Sequence, residues 1–284
     1  VEAHNNLGVV HRVIGYHKEA RTSYERAIAL NGNFTEAYNN RNLCLNYSSE
    51  WSNSYIYEQH LKFEKQFGGL SVRTSLKHIK DRTPNRRLRI GYVSGDFRKH
   101  SVAYFFEALL EHHNSDNVEI FCYYNHTIND ETTERLKALS NHWRSIHDKN
   151  DQEVVTLIKG DQIDILVDLA GHTAKNRLLV FAQKPAPIQV SWLGYPNTTG
   201  LNAIDYRFTD DVADPPGETD KVHSEALVRL PHGFQCYKGD NTVPSSTKLP
   251  YKDSGFITFG SFNNLSKVTP EVIKVWSGIL HAIP

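Results

Sequence analysis

Leu88-Arg89-Ile90-Gly91-Tyr92-Val93-Ser94-Gly95-Asp96 decides the fold of this chain: a short apolar run of strand length closed by a small, polar turn. Leu88 to Val93 reads as a buried strand, and a helix follows over about Ser101 to His113. The alternation then continues. Val118 to Tyr124 is a second strand, Thr132 to Asn141 a helix and Trp143 to Ile146 a short strand. Asp151 to Lys159 is a helix with acidic residues at its start, Ile163 to Leu169 a strand, Lys175 to Ala182 a helix and Ile188 to Leu193 a strand. This order predicts a mostly parallel sheet covered by helices. Ligands of such sheets bind at the carboxyl ends of the strands. Here those ends carry Ser94-Gly95-Asp96, Ala170-Gly171-His172-Thr173 and Gly194-Tyr195-Pro196-Asn197-Thr198-Thr199-Gly200.

Upstream of the sheet the chain repeats itself. Glu2-Ala3-His4-Asn5-Asn6 returns as Glu36-Ala37-Tyr38-Asn39-Asn40, a shift of 34 residues, which is the tetratricopeptide period. Leu7, Val10, Val13 and Ile14 form one apolar stripe, broken at Gly15-Tyr16; Ala20, Tyr24, Ala27, Ile28 and Leu30 form a second. Asn31-Gly32 is expected to end that helix with a left-handed cap. Gly8, Ala20 and Ala27 stand where the two helices must approach closely. An ordinary helical hairpin is the plainer alternative. A tetratricopeptide unit cannot bury its face alone, so further repeats are expected before Val1. From Trp51 to Lys80 a longer helix carries Tyr55, Tyr57, Phe63 and Phe67 on an aromatic face, and Asp81 to Asn85 links it to the sheet. The expected divisions are residues 1–80 (repeats and linking helix), 87–250 (α/β lobe) and 255–284 (the start of a second lobe).

Residues 202–254 are loop-rich, with Asp211-Val212-Ala213-Asp214-Pro215-Pro216-Gly217 as a turn-forming stretch. A second sheet is expected to begin with a strand at Phe256 to Phe259, followed by a loop at Gly260 to Lys267 and a helix from Pro270 to Leu280. One strand and one helix make no core of their own, so the second lobe is expected to be cut short.

Thirty-two basic residues balance thirty-two acidic ones, which leaves no electrostatic footprint for nucleic acid or an anionic membrane. The cluster Asn85-Arg86-Arg87-Leu88-Arg89 reads as the solvated start of a strand. Three cysteines, far apart, supply neither a disulfide framework nor metal-ligand spacing, and a reducing compartment is expected. No apolar run approaches bilayer length.

Each strand-end loop has two readings. His172 is either a helix-cap histidine facing solvent or a proton-transfer group; His100, after Asp96-Phe97-Arg98-Lys99, divides the same way. The 194–200 loop offers small residues and hydroxyls to a polar ligand such as a sugar or peptide. Asp168 is either a buried carboxylate paired with Arg or Lys, or a base. Ser261 to Lys267 can offer backbone N–H groups and Lys267 to phosphate, although Gly-Lys-Thr/Ser is absent. A hydrolase built on His172 and Asp168 lacks a nucleophile elbow.

Taken together, the repeat, Arg87 to His100, Asp164 to Thr173, Pro185 to Pro196 and Phe259 to Lys267 closely resemble the O-linked N-acetylglucosamine transferase family, which includes SPINDLY-type protein O-fucosyltransferases. The resemblance implies a tetratricopeptide solenoid joined to a two-lobed glycosyltransferase of the B type, with no metal and no cofactor. The nucleotide sugar is then a substrate bound between the lobes. The partners it implies are acceptor proteins threaded along the repeats and modified on Ser or Thr, and any homo-oligomer is expected to form through the missing repeats. A cytoplasmic or nucleocytoplasmic setting is expected. By motif, His100 corresponds to an active-site histidine and Lys267 to the lysine that neutralises the donor diphosphate. Gly194 and Pro196 correspond to the loop beside the transferred sugar, with His172 and Thr173 among the substrate-binding residues. Asn264 replaces a pocket glutamine of the animal enzymes, and Gly171 to Asn176 resembles the SPINDLY-like and bacterial pattern, so UDP-N-acetylglucosamine and GDP-fucose both stand as donors. The alternative of another class is a non-catalytic tetratricopeptide scaffold.

Overall fold

The structure is a computed structural model that describes residues 1–69, 83, 85–239 and 248–283. The far end of the linking helix, most of the 81–85 linker and residues 240–247 fall outside the described residues.

Two antiparallel helices open the chain, α1 (Glu2–Val13) and α2 (His17–Leu30), followed by α3 (Thr35–Leu45) and α4 (Asn53–Phe67). The tetratricopeptide packing is present in its small residues. A Cβ on Gly8 would stand 2.5 Å from the Tyr24 ring, and Ala20, Tyr24 and Ala27 are fully buried against it. The repeated asparagines also meet, Asn40 Nδ2 donating to Asn5 Oδ1 at 2.9 Å. Two expectations fail here. Leu7, Val10, Val13 and Ile14 are exposed, because α1 turns Asn5 and Gly8 inward instead. The α2 cap is extended at Asn31 (φ −148°) rather than left-handed, and the Asn31 amide still closes on the Ala27 carbonyl.

The lobe that follows is a seven-stranded sheet with every pair parallel, in the order β3-β2-β1-β4-β5-β6-β7. Its strands are β1 (Leu88–Ser94), β2 (Val118–Tyr124), β3 (His142–Ser145), β4 (Ile165–Asp168), β5 (Ile188–Ser191), β6 (Tyr206–Thr209) and β7 (Ala226–Arg229). Helices α5 (Ser101–His112), α6 (Glu131–Leu139), α7 (Asp151–Gly160) and the short α8 (Leu178–Phe181) cross over between strands. Asp130 and Asn150 start α6 and α7 with reciprocal side-chain caps, which fixes where each crossover begins. Strands β6 and β7 lie in the stretch that reads as loop. In the basic cluster Asn85, Arg87 and Leu88 are exposed as expected, while Arg86 grips Asp164 with both terminal nitrogens and Arg89 reaches Glu119 at 3.2 Å.

The helical region and the sheet share one core. Tyr38, Phe63 and Phe67 belong to the same buried cluster as Val93, Phe121, Ile158, Leu166 and Phe181. α4 therefore lies on the sheet lobe as a structural layer.

Beyond the lobe, α9 (Tyr251–Ser254) and α10 (Pro270–Ala282) flank an irregular stretch. No strand forms at Phe256–Phe259. Its residues are strand-formers, but a strand exists only against a neighbour, and the described residues offer none there. Val275, Trp276 and Ile279 of α10 stay exposed.

Candidate active site at the carboxyl edge of the sheet

The strand order reverses between β1 and β4, so the crevice expected of an open parallel sheet lies over Ser94-Gly95-Asp96 and Ala170-Gly171-His172. The two loops touch, since a Cβ on Gly95 would fall 2.6 Å from the Lys175 Cβ. Beside them a cleft of about 600 Å³ opens between α3 and the lobe, walled by Asn39 and Asn40 on one side and by Asn125, His126, His147, His172, Thr173 and Lys175 on the other.

His100 caps α5 without belonging to that wall. Its Nδ1 accepts from the Val102 amide at 3.3 Å and stands 3.7 Å from Asp96 Oδ2, while the ring is about a third exposed. A nitrogen that accepts carries no proton, so in this geometry the ring's N–H is at Nε2. In this geometry His100 is a donor to an oxygen, and acting as a base requires it to give up the cap.

His172 is 1% exposed, and its ring is committed to the fold. Nε2 lies 2.8 Å from the Thr199 carbonyl and Nδ1 2.7 Å from the Asn39 side chain. Burial drives its pKa far below the ordinary value, so the ring is neutral, and its one proton serves either the Thr199 carbonyl or Asn39 Oδ1. His172 thus ties together α3, the β4 loop and the 194–200 loop. Thr173 spends its hydroxyl on the Ala170 carbonyl at 2.7 Å. Asp168 fits neither of its sequence readings. It is buried without a hydrogen-bonded cation and accepts the Ala170 and Gly171 amides at 3.1 and 2.8 Å, and burial pushes its carboxyl up to about 6. It braces the turn that carries His172.

The loop after β5 is clamped from several sides. A Cβ on Gly194 would come 1.8 Å from the Leu169 carbonyl oxygen. Arg207 holds the Tyr195 and Asn197 carbonyls at 3.0 Å, and the buried Glu225 takes the Thr198 hydroxyl at 2.6 Å and the Thr199 amide at 2.8 Å. Pro196 is left exposed at the tip. Asn264 and Lys267 lie elsewhere. Asn264 Oδ1 accepts from the Ser266 amide at 3.0 Å, and the Lys267 ammonium stands 6.0 Å over the Tyr47 ring. Among the described residues no hydrogen bond or ring contact of these two reaches the strand-end loops. The structure therefore joins His172, Thr173 and the 194–200 loop, and leaves His100 on one side and Asn264 with Lys267 on another.

Sequence reasoning missed the polar seam behind these loops. His60 is fully buried; its Nδ1 donates to the Ile56 carbonyl and its Nε2 accepts from the Tyr195 hydroxyl, each at 2.7 Å. Asn46 Nδ2 donates to the same hydroxyl at 3.0 Å. The one available signal was a histidine inside the apolar stripe Ile56, Phe63, Phe67.

The family description of glycosyl transferase family 41 matches residues 61–246. This chain belongs to that family. Among its relatives, the SPINDLY protein of Oryza sativa subsp. japonica, named a probable UDP-N-acetylglucosamine–peptide N-acetylglucosaminyltransferase, is 45% identical over 267 residues, covering 92% of this chain and 28% of its own. The SEC protein of Arabidopsis thaliana, named likewise, is 36% identical over 211 residues, covering 70% and 21%. A mutant O-GlcNAc transferase of Thermobaculum terrenum superposes with a TM-score of 0.89 at 37% identity, over 98% of this chain and 52% of that one. This family 41 chain thus spans about a quarter of the curated relatives' length. Its helical region and parallel lobe match the fold that the resemblance implied. No helix among the described residues is long and apolar enough to cross a membrane.

Proposed function

We propose that the full-length protein moves N-acetylglucosamine from UDP-N-acetylglucosamine to Ser or Thr hydroxyls of acceptor proteins. The observation that carries this reading is the likeness of both the helical region and the sheet lobe, together over 98% of the chain, to an O-GlcNAc transferase at 37% identity. The chemistry fits the residues present. Transfer leaves charge on a nucleoside diphosphate, and Lys267 with nearby backbone N–H groups is suited to stabilise it without a metal. His100 offers Nε2–H to a reacting oxygen. Gly194 and Pro196 form the loop beside the sugar, and His172 and Thr173 hold the adjoining turn. Acceptor chains lie along the helical repeats, and no cofactor takes part. The unpaired cysteines Cys44, Cys122 and Cys236 suit a reducing, cytoplasmic or nucleocytoplasmic setting.

GDP-fucose is the second donor reading, favoured by Asn264 and by the Gly171-to-Asn176 pattern. Incubating the full-length protein and an acceptor extract with labelled UDP-N-acetylglucosamine or GDP-fucose separates the two. Label from the first donor supports the main reading and label from the second alone supports the alternative. Label from neither leaves the non-catalytic scaffold.

A further inference from the structure

The segment that carries Lys267 is docked on the helical repeat. Most of residues 248–283 is exposed, yet Ser266 is 1% exposed, because its turn sits against α1 and meets His17 of α2 and Tyr47 just past α3. His17, the first residue of α2, makes the hydrogen bond: Nε2 lies 2.8 Å from the Ser266 carbonyl oxygen. A carbonyl only accepts, so Nε2 carries the proton, and Nδ1 turns its lone pair toward the Cys44 thiol 3.9 Å away. The His17 ring is itself stacked on Tyr47, with centroids 6.0 Å apart and planes at 23°, and Tyr47 is the ring beneath the Lys267 ammonium.

The docked turn is closed by its own hydrogen bonds. Asn264 Oδ1 accepts from both the Ser266 amide at 3.0 Å and the Ser266 hydroxyl at 2.9 Å, and Leu265–Lys267 closes as a 3-10 turn. Fixing the Ser266 carbonyl therefore fixes the backbone of the next residue, from which the lysine side chain springs.

We propose that His17 is a positioning residue for Lys267: the helical repeat, through His17 and Tyr47, sets where the donor-side lysine stands. This rests on the reading of Lys267 as the group that meets the donor diphosphate. It follows that the solenoid that carries the acceptor and the lysine that meets the donor move together, so a shift of α2 displaces Lys267.

The test uses the full-length protein with His17→Ala, His17→Gln, Lys267→Ala and the His17→Ala/Lys267→Ala pair, following UDP and GDP binding by calorimetry, steady-state kinetics and melting temperature. His17→Ala should weaken diphosphate binding and raise the donor KM roughly fivefold to tenfold, with the acceptor KM unchanged. His17→Gln, whose amide N–H can reach the same carbonyl, should recover most of that loss. The pair should bind no worse than Lys267→Ala alone, because a positioning residue has nothing left to position. Additive losses in the pair, a His17→Ala protein with parental diphosphate affinity, or no binding of either diphosphate by the unsubstituted protein each overturns the inference. A protein that binds diphosphate with this pattern but transfers no sugar overturns the proposed function and leaves the positioning role standing.

Discussion

Tyr195 donates its hydroxyl hydrogen to His60 Nε2 across 2.7 Å, joining the loop after β5 to the middle of α4. Both residues are buried, and the Asn46 amide completes the hydroxyl's bonding at 3.0 Å. Tyr195→Phe keeps the ring and strands the buried His60 Nε2, while Asn46 Nδ2 keeps the Asn42 carbonyl at 2.8 Å. A loss of about 1–3 kcal/mol of stability follows from leaving such a group unpaired. Urea unfolding of the chain and the variant measures it, and equal midpoints would show that the seam between helices and lobe holds without this bond.

The same seam sets a pH dependence. Burial pushes the His60 pKa down to about 3 and drives that of His172 far below its ordinary value. Both histidines gain a proton near pH 6.5 when the chain unfolds but resist it when folded, so each removes about 1.4 kcal/mol per pH unit as the pH falls below 6.5. Asp168, pushed up to about 6, works the other way and returns stability as the pH falls from 6 toward its unfolded value near 4. Two histidines outweigh one carboxylate, so stability should fall from pH 6.5 to pH 4, and His60→Gln should flatten the slope. Urea midpoints that stay level or rise over that interval would contradict the buried, neutral assignment.

Gly194 has no room for a side chain. An added Cβ would meet the Leu169 carbonyl oxygen at 1.8 Å and its carbon at 2.7 Å, both of them backbone atoms. Gly194→Ala should cost about 1–3 kcal/mol through the forced shift of the β5 loop. Gly160→Ala, whose Cβ meets nothing within 4 Å, is the control and should be neutral. Thermal melts of the two variants decide the point, and similar melting temperatures would show that the loop yields easily.

What could be read from sequence follows physical lines. β1 and β2 are legible because each is a strand-length run rich in apolar and aromatic residues, and the structure places them at Leu88–Ser94 and Val118–Tyr124. β6 and β7 are four residues each inside turn-rich sequence, so their strand character emerges only when β5 offers an edge to pair with. Phe256–Phe259 is the converse, a strand-forming run with no edge to join. The site loops were found because small residues and histidines after strands are local features. His60, Tyr195, Glu225 and Asp168 were missed or misread because each takes its meaning from partners that only the fold reveals. His60 and Tyr195 are 135 positions apart.

The central proposal is that the full-length protein glycosylates protein hydroxyls using Lys267 against the leaving diphosphate. Mass spectrometry of an acceptor protein after incubation with the full-length protein and UDP-N-acetylglucosamine, run beside Lys267→Ala, tests it most directly. The account predicts one N-acetylhexosamine on a Ser or Thr, formed roughly 100-fold more slowly by the variant, as for loss of a single transition-state donor. An acceptor left unmodified by the unsubstituted protein with either nucleotide sugar, or a Lys267→Ala protein that modifies it at the parental rate, would contradict it.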